Sequence, residues 1–253
     1  MLPEILLAAA FSGLVQGVSG FAFGLIATSL WAWMMAPQLV VPMVVLGSLM
    51  GQVISIQAVR SDIKRERVAP FLIGGAIGVP LGTQVLPLLN VSVFRMGVGI
   101  CLIVYCSLML RARDLPLVQG GGRPADGCVG FVAGVMGGAS GLAGPPITLW
   151  CSLRGWSMNV QRATYQTFFV GTQIVTLVLY TWQGIINADS IRLFLWIAPV
   201  IVLSSWFGTR VAKRFSDLKF QRLVFFLLLA SGVMLLLPSV LAVGSSQLQR
   251  APG

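Results

Sequence analysis

Long apolar segments recur along the whole chain, and each is close to the length that crosses a membrane. Short polar connections separate eight of them: 5–35, 39–59, 68–86, 93–110, 127–152, 163–183, 191–209 and 223–243. About 20 apolar residues suffice to cross the hydrocarbon core as a helix. Only 9% of the residues are charged, whereas soluble domains carry about 25%. The sequence therefore predicts an all-α, polytopic helical membrane protein.

Two of these apolar segments are interrupted by glycine-rich breaks of matching sequence. Residues 13–20 read GLVQGVSG and residues 134–141 read GVMGGASG, with Gly, Gly, Ser and Gly at the same spacing. A helix interior loses roughly 1 kcal/mol per Gly and about 3 per Pro relative to Ala. In a membrane, interrupted backbone is tolerated only where protein buries it or where it lines a cavity. The repeated break predicts two related halves, each opening with a broken helix.

The distribution of basic residues predicts that the two halves are inverted. Most Lys and Arg lie in the connections 60–67, 111–126, 153–162 and 210–222, which the positive-inside rule places in the cytoplasm. The basic connection of one half matches a charge-poor connection of the other. Each half then crosses the membrane an odd number of times. We expect a first inverted repeat over 1–112, a cytoplasmic linker over 113–126, a second inverted repeat over 127–243 and a C-terminal tail over 244–253.

The length of each broken segment favours a re-entrant hairpin. Residues 5–35 would form a helix of about 46 Å at 1.5 Å per residue, too long for one crossing and short for two. Each repeat is therefore predicted to contain a broken hairpin and three transmembrane helices. Both termini are then extracytoplasmic in a plasma (inner) membrane protein. The alternative treats each broken segment as one long tilted helix, which gives eight crossings and parallel halves.

The titratable residues exclude most catalytic and metal sites. The chain has no histidine, and all seven acidic residues lie in connections or at segment ends. No carboxylate is therefore expected in the middle of the membrane, where ionisable groups usually mark proton relays. The sequence predicts no enzyme, no metal and no cofactor. The net charge of +10 is attributed to topology signals rather than to nucleic-acid binding.

The two breaks remain as candidates for a binding site. Helix N-termini offer free N–H donors and a partial positive charge, so they bind anions, and Pro145 and Pro146 suit the first turn of such a helix. Two facing breaks would form an anion pocket near the midplane of the membrane. The predicted substrate-binding residues are Gln16, Gly17, Ser19, Gly20, Thr83, Gly138, Ser140, Gly141, Gly144, Pro145, Gln166 and Gln173. The alternative is that Gly and Ser serve helix packing and that Gln and Thr form interhelical hydrogen bonds.

The repeated break resembles the sulfite exporter TauE/SafE family of membrane permeases over about residues 5–241. The residues that carry the resemblance are Gly13, Gly17, Ser19 and Gly20, with Gly134, Gly138, Ser140, Gly141, Gly144, Pro145 and Pro146. The resemblance implies export of small sulfur-containing or organic anions such as sulfite, sulfonates or sulfoacetate-like compounds. The first break continues as FAFG where the second continues as LAGPP, so the two need not contribute equally.

The leading hypothesis is a secondary transporter that exports a small anion. An inside-negative potential favours the exit of an anion by about 2.3 kcal/mol per charge per 100 mV, so export needs no coupling ion. The alternatives are an anion channel and, with fewer residues in its favour, a membrane-embedded enzyme. The expected partners are the small anion and the lipid bilayer, and the sequence leaves homo-oligomerisation open.

Overall fold

The computed structural model describes residues 2–111, 116–118, 120–212 and 217–248, with the side chains of 189, 212, 217–221 and 238–248 left out. All regular structure in this part of the chain is helical, which confirms the predicted all-α class. Ten α-helices follow one another: α1 Leu2–Ser19, α2 Phe23–Trp31, α3 Pro37–Ser55, α4 Arg65–Val85, α5 Val91–Leu110, α6 Gly122–Ser140, α7 Gly144–Leu153, α8 Met158–Trp182, α9 Ala188–Ala212 and α10 Asp217–Leu248. Short 3₁₀ turns, Ile56–Asp62 and Leu86–Leu88, extend α3 and α4.

Five helical stretches of the described chain are long and apolar enough to cross a bilayer. They are Leu2–Ser19, Pro37–Asp62, Arg65–Leu88, Val91–Leu110 and Ser190–Val211. Many large apolar side chains on these helices are exposed, as expected for surfaces that face lipid rather than water. The polytopic helical membrane protein predicted from the sequence is thus confirmed.

Both broken segments fold back on themselves as hairpins. In the first, α1 is followed by Gly20, whose φ of 80° is left-handed. The Trp31 indole N–H at the end of α2 donates to the Ile5 carbonyl near the start of α1 at 3.4 Å. In the second, Gly141 has a φ of 73° and Trp150 donates to the Asp126 carboxylate at 2.7 Å. A single long tilted helix over 5–35 would hold its two ends far apart, so that alternative is wrong for this segment.

The helices of the two halves pair with each other in a reciprocal pattern. The first limb of the second hairpin, α6, packs along α4, and the first limb of the first hairpin, α1, packs along α9. Between them, α5 packs against α10 and α3 against α8. If each helix is replaced by its counterpart in the other half, the same four helix pairs result. How the halves are oriented in the membrane stays a prediction.

Glycines make the closest of these helix contacts. A β-carbon built on Gly134 would lie 2.6 Å from the Gly75 carbonyl oxygen, and one on Gly138 would lie 2.6 Å from the Val79 carbonyl oxygen. Such backbone-to-backbone approach is typical of membrane helices, where association depends on van der Waals packing of small residues. These contacts hold the first limb of the second hairpin against α4.

The connection between the halves is attached to the base of the second hairpin. Val118 donates its amide to the Leu153 carbonyl at 2.8 Å, and Arg154 binds the Gly120 carbonyl at 2.9 Å and the Asp126 carboxylate at 3.6 Å. Helix α6 begins at Gly122, inside the range 113–126 that was predicted as linker. Residues 112–115 and 119, and the tail beyond 248, lie outside the described residues.

Candidate functional site

The two hairpin tips meet in the interior of the protein. A β-carbon built on Gly24, at the start of α2, would lie 3.0 Å from the Gly141 carbonyl oxygen, so the two breaks approach each other closely. A narrow cavity of about 10 Å³ lies between them, which is room for about one water, so an anion can enter only when the two tips move apart. Its lining residues are Phe21, Gly24, Leu25, Ser48, Gly141, Leu142, Ala143, Gly144, Pro145, Phe169 and Gln173. None of these residues carries a charge or titrates.

At the first tip, side chains satisfy the backbone donors that the break exposes. The Phe23 amide, in the first turn of α2, donates to Gln16 Oε1 at 2.9 Å. The amides of Phe21 and Ala22 donate to Ser19 Oγ at 3.4 and 3.2 Å. A helix start leaves its first N–H groups without intrahelical acceptors. Here Gln16 and Ser19 take that place for the amides of 21–23, whereas the amides of Gly24 and Leu25, whose residues line the cavity, have no acceptor among the described residues.

The carbonyls at the first tip are also bound, in this case by residues of the other half. Three side chains of α8 donate to the last three carbonyls of the first limb and its turn. The pairs are Arg162 to Val18 at 3.2 Å, Tyr165 to Ser19 at 3.3 Å and Gln166 to Gly20 at 3.3 Å. The first tip is therefore tied into the protein on both its donor and its acceptor side.

At the second tip, the backbone amides exposed by the break lack side-chain acceptors. Gly137 stands at the position that corresponds to Gln16 and has no side chain to accept a hydrogen bond. The amides of Leu142, Ala143 and Gly144 donate to no residue of the described chain. Because residues 145 and 146 are prolines without N–H groups, the free donors of the α7 N-terminus are concentrated in these three amides, all of which line the cavity.

Two polar side chains complete the cavity wall opposite the second tip. Gln173 of α8 donates from Nε2 to Ser48 Oγ of α3 at 2.8 Å. The residues are only 8% and 5% exposed, and Gln173 Oε1 has no hydrogen-bond partner among the described residues. Because Ser48 Oγ acts only as an acceptor in this bond, its hydroxyl hydrogen is available to a second acceptor.

The predicted site residues fall into three groups. Gly141, Gly144, Pro145 and Gln173 line the cavity. Gln16, Ser19, Gly20 and Gln166 build the first tip, as described above. The remaining four lie in helix contacts or in hydrogen bonds along helices. These four are Gly17 against the backbone of α9, Gly138 against that of α4, Thr83 bound by Gln183 at 3.1 Å, and Ser140, whose hydroxyl donates to the Met136 carbonyl at 2.8 Å.

Sequence reasoning missed Ser48 and the apolar part of the lining. Ser48 follows Gly47 in an apolar helix, where a small hydroxyl residue is typical of helix packing. Only its position opposite the second break gives it significance. Likewise, Phe21, Leu25, Leu142 and Phe169 are indistinguishable by sequence from the other apolar residues around them.

The family of the chain follows from a match to a family model over residues 5–235, described as sulfite exporter TauE/SafE. The chain belongs to this family. A curated relative, the probable sulfite/organosulfonate exporter TauE of Cupriavidus necator, is 28% identical over 236 residues, which cover 90% of each chain. No solved structure matches the chain. The resemblance seen in the repeated break is thereby confirmed, and the chain is a multi-pass membrane protein of a transporter family.

Proposed function

We propose that this protein is a secondary transporter that exports a small sulfur-containing or organic anion, such as sulfite, a sulfonate or sulfoacetate. The observation that carries the proposal is the set of three free amides at the second tip, Leu142, Ala143 and Gly144, in a cavity between the two breaks. Oriented N–H groups at a helix N-terminus are the standard means of holding an anion without a buried cation.

The lining has the polarity expected for an anionic head group with a small apolar substituent, which the cavity can admit once the two tips move apart. The donors lie on one side, whereas Phe21, Leu25 and Phe169 supply apolar wall. Since the wall holds no positive side chain, the anion must be stabilised by neutral dipoles alone. The desolvation penalty of an ion grows with the square of its charge in a Born description. A monoanion such as hydrogen sulfite or a simple sulfonate is therefore favoured over a dianion such as sulfate or fully ionised sulfoacetate.

Transport requires the cavity to open in turn to each side of the membrane. We infer that the two halves, 1–112 and 127–243, are inverted repeats joined by a cytoplasmic linker and that they rock against each other around the site. Both chain termini then lie on the extracytoplasmic side of the plasma membrane. Export of a monoanion is driven by the membrane potential, at about 2.3 kcal/mol per 100 mV. The match to the sulfite exporter TauE/SafE family model supports a transporter rather than an enzyme.

The test is flux of sulfite and methanesulfonate in proteoliposomes of purified protein. We expect saturable flux and counterflow, in which an outward gradient of unlabelled anion drives uptake of labelled anion. Flux that does not saturate and shows no counterflow would identify a channel instead. Chemical conversion of the anion by the purified protein would identify an enzyme, and absence of both flux and binding would refute the proposal.

A further inference from the structure

We propose that Gln52 of α3 binds the anion together with Gln173, its counterpart on α8, and that the ring of Phe169 separates Gln52 from the cavity in this conformation. The inference rests on the proposed function and deepens it, because it adds a substrate-binding residue that does not line the cavity. The opened site then holds the anion between one carboxamide group from each half.

Gln52 and Gln173 occupy matching positions in the two halves. Residues 52–55 read QVIS and residues 173–176 read QIVT. The two glutamines are 121 residues apart, which is also the separation between the left-handed glycines of the two breaks. The correspondence therefore continues without a gap from each break into the helix that carries the glutamine, and α3 is the counterpart of α8.

The contact between α3 and α8 indicates which residue lies beside Gln52. Counterpart helices that pack against each other make a self-matching contact, in which each residue pair recurs with the two partners exchanged. Ser48 binds Gln173 at 2.8 Å, and Phe169 follows Ser48 at the same separation of 121 residues. The matching pair is thus Phe169 with Gln52, where a phenyl ring takes the place of the hydroxyl.

The amide of Gln52 is buried without a hydrogen-bond partner. Its side chain is 0% exposed, and neither Nε2 nor Oε1 has a partner among the described residues, as expected beside a phenyl ring. A buried polar group without a partner destabilises a protein, so its presence in a membrane helix calls for a specific role. The Nε2 group carries two N–H donors, and both are available to the oxygen atoms of an anion.

Phe169 belongs to the wall that must move when the anion enters. Its ring lines the cavity and extends to the second tip, where its Cζ lies 3.9 Å from a β-carbon built on Gly144. The cavity has room for about one water, so a sulfite or sulfonate head group needs additional space. Displacement of the ring supplies this space and brings the Gln52 amide into the site.

The experiment removes the amide from the full-length protein and keeps the length of the side chain. The variant is Gln52→Met, and the matched control is Gln57→Met, the same change at an exposed position of the 3₁₀ turn that follows α3. For each variant, the Kd of sulfite and methanesulfonate is measured by titration calorimetry in detergent. The KM of transport is measured by flux in proteoliposomes, and the melting temperature without anion by thermal unfolding.

The inference predicts that affinity falls while stability does not. Loss of a hydrogen bond to a charged ligand weakens binding by about tenfold or more, so Gln52→Met should raise the Kd of both anions and the KM by that factor. Its melting temperature without anion should be equal to that of the wild type or higher, because the variant no longer buries an unpaired polar group. Gln57→Met should leave all three quantities unchanged.

A second comparison tests the role of the ring. Phe169→Leu is made in the wild type and in Gln52→Met. If the ring separates the amide from the anion, the two changes are coupled: Phe169→Leu should change the Kd by a different factor when Gln52 is absent. Equal factors in the two backgrounds would show that the ring and the amide act independently, and would overturn the assignment of Phe169.

Other results would overturn the assignment of Gln52. An unchanged Kd in Gln52→Met, with saturable sulfite flux, would exclude this residue from the site and leave the proposed function standing. A lowered melting temperature or failure of Gln52→Met to fold would mean that the amide serves the structure. Absence of both binding and flux in the wild-type protein would instead refute the proposed function, and this inference with it.

Discussion

Gly138 provides the sharpest test of the difference between a packing glycine and a ligand-binding glycine. It lies in the second break and was predicted from sequence to contact substrate, but it faces α4. A β-carbon at this position would lie 2.6 Å from the Val79 carbonyl oxygen and 2.9 Å from the Thr83 amide nitrogen. Both are backbone atoms within a helix, so no side-chain rotation can relieve the overlap. The change Gly138→Ala therefore forces α4 and α6 apart.

The size of the effect can be worked out against a matched control. Ordinary van der Waals contact begins at 3.4 Å, so the helices must separate by 0.8 Å along this direction. A gap of 0.5–1 Å forfeits about a quarter to a half of each contact energy, and overpacking in cores typically costs about 1–3 kcal/mol. Gly97 of α5 has no atom within 4 Å of its β-carbon position. Because the gain in helix propensity is shared by both changes, the difference between Gly138→Ala and Gly97→Ala isolates the packing effect, at about 1–3 kcal/mol.

The assay is reversible unfolding in mixed micelles by increasing denaturing detergent, with helicity as the readout and sulfite affinity of the folded fraction as a second measurement. Gly138→Ala should be less stable than Gly97→Ala and should bind sulfite with wild-type affinity when folded. Equal stability of the two variants would refute the packing account. So would a variant of unchanged stability that no longer binds sulfite, since Gly138 would then act on the ligand directly.

Three further predictions concern the site and its surroundings. Since no residue lining the cavity titrates, the pH dependence of transport should come from the substrate. Sulfite flux should fall by up to about tenfold per pH unit above the second pKa of sulfite, while methanesulfonate flux stays constant. Parallel pH profiles of the two fluxes would contradict this. Gly141→Ala places a β-carbon on a left-handed residue, at a cost of about 1–2 kcal/mol, and should lower both melting temperature and flux, whereas Gly144→Ala, with only one atom near its β-carbon position at 3.9 Å, should fold normally. Asp126→Asn should destabilise the protein by about 1–3 kcal/mol, measured by thermal unfolding, because Arg154 loses its carboxylate partner; an unchanged melting temperature would show that the other contacts of Arg154 suffice.

The sequence could predict the breaks because glycine and proline in an apolar helix are a local signal. Gly20 and Gly141 occupy matching positions in the two breaks, and both adopt a left-handed φ. What each glycine faces could not be predicted, since that depends on which helix packs beside it. Gly17 and Gly138 also occupy matching positions in the two breaks. They do not turn the chain, however: Gly17 packs against the backbone of α9 and Gly138 against that of α4. Periodicity places residues on a face of their own helix and does not identify the opposite helix.

The open end of the first hairpin, opposite its tip, gives a second example. Arg95 lies near the start of α5. It donates to the Ala32 carbonyl at 2.8 Å and to the Trp33 carbonyl at 3.4 Å, with its guanidinium 5.1 Å from the centre of the Trp33 ring. A cation near the C-terminal carbonyls of a helix is stabilising. The contact spans more than 60 residues of sequence, so no local pattern could indicate it.

The reciprocal pairing of the halves gives the cavity a direct connection to transport. The three amides of 142–144 and Gln173 belong to the second half, whereas Ser48 lies on α3 of the first. An anion held by all of them would contact both halves at once. Binding can shift a conformational equilibrium only through contacts that differ between the states, and contacts across the interface of two moving halves are the ones that rocking changes. The Ser48–Gln173 bond would be strained or broken when α3 and α8 separate, and an anion that takes up the freed donor would favour one arrangement over the other.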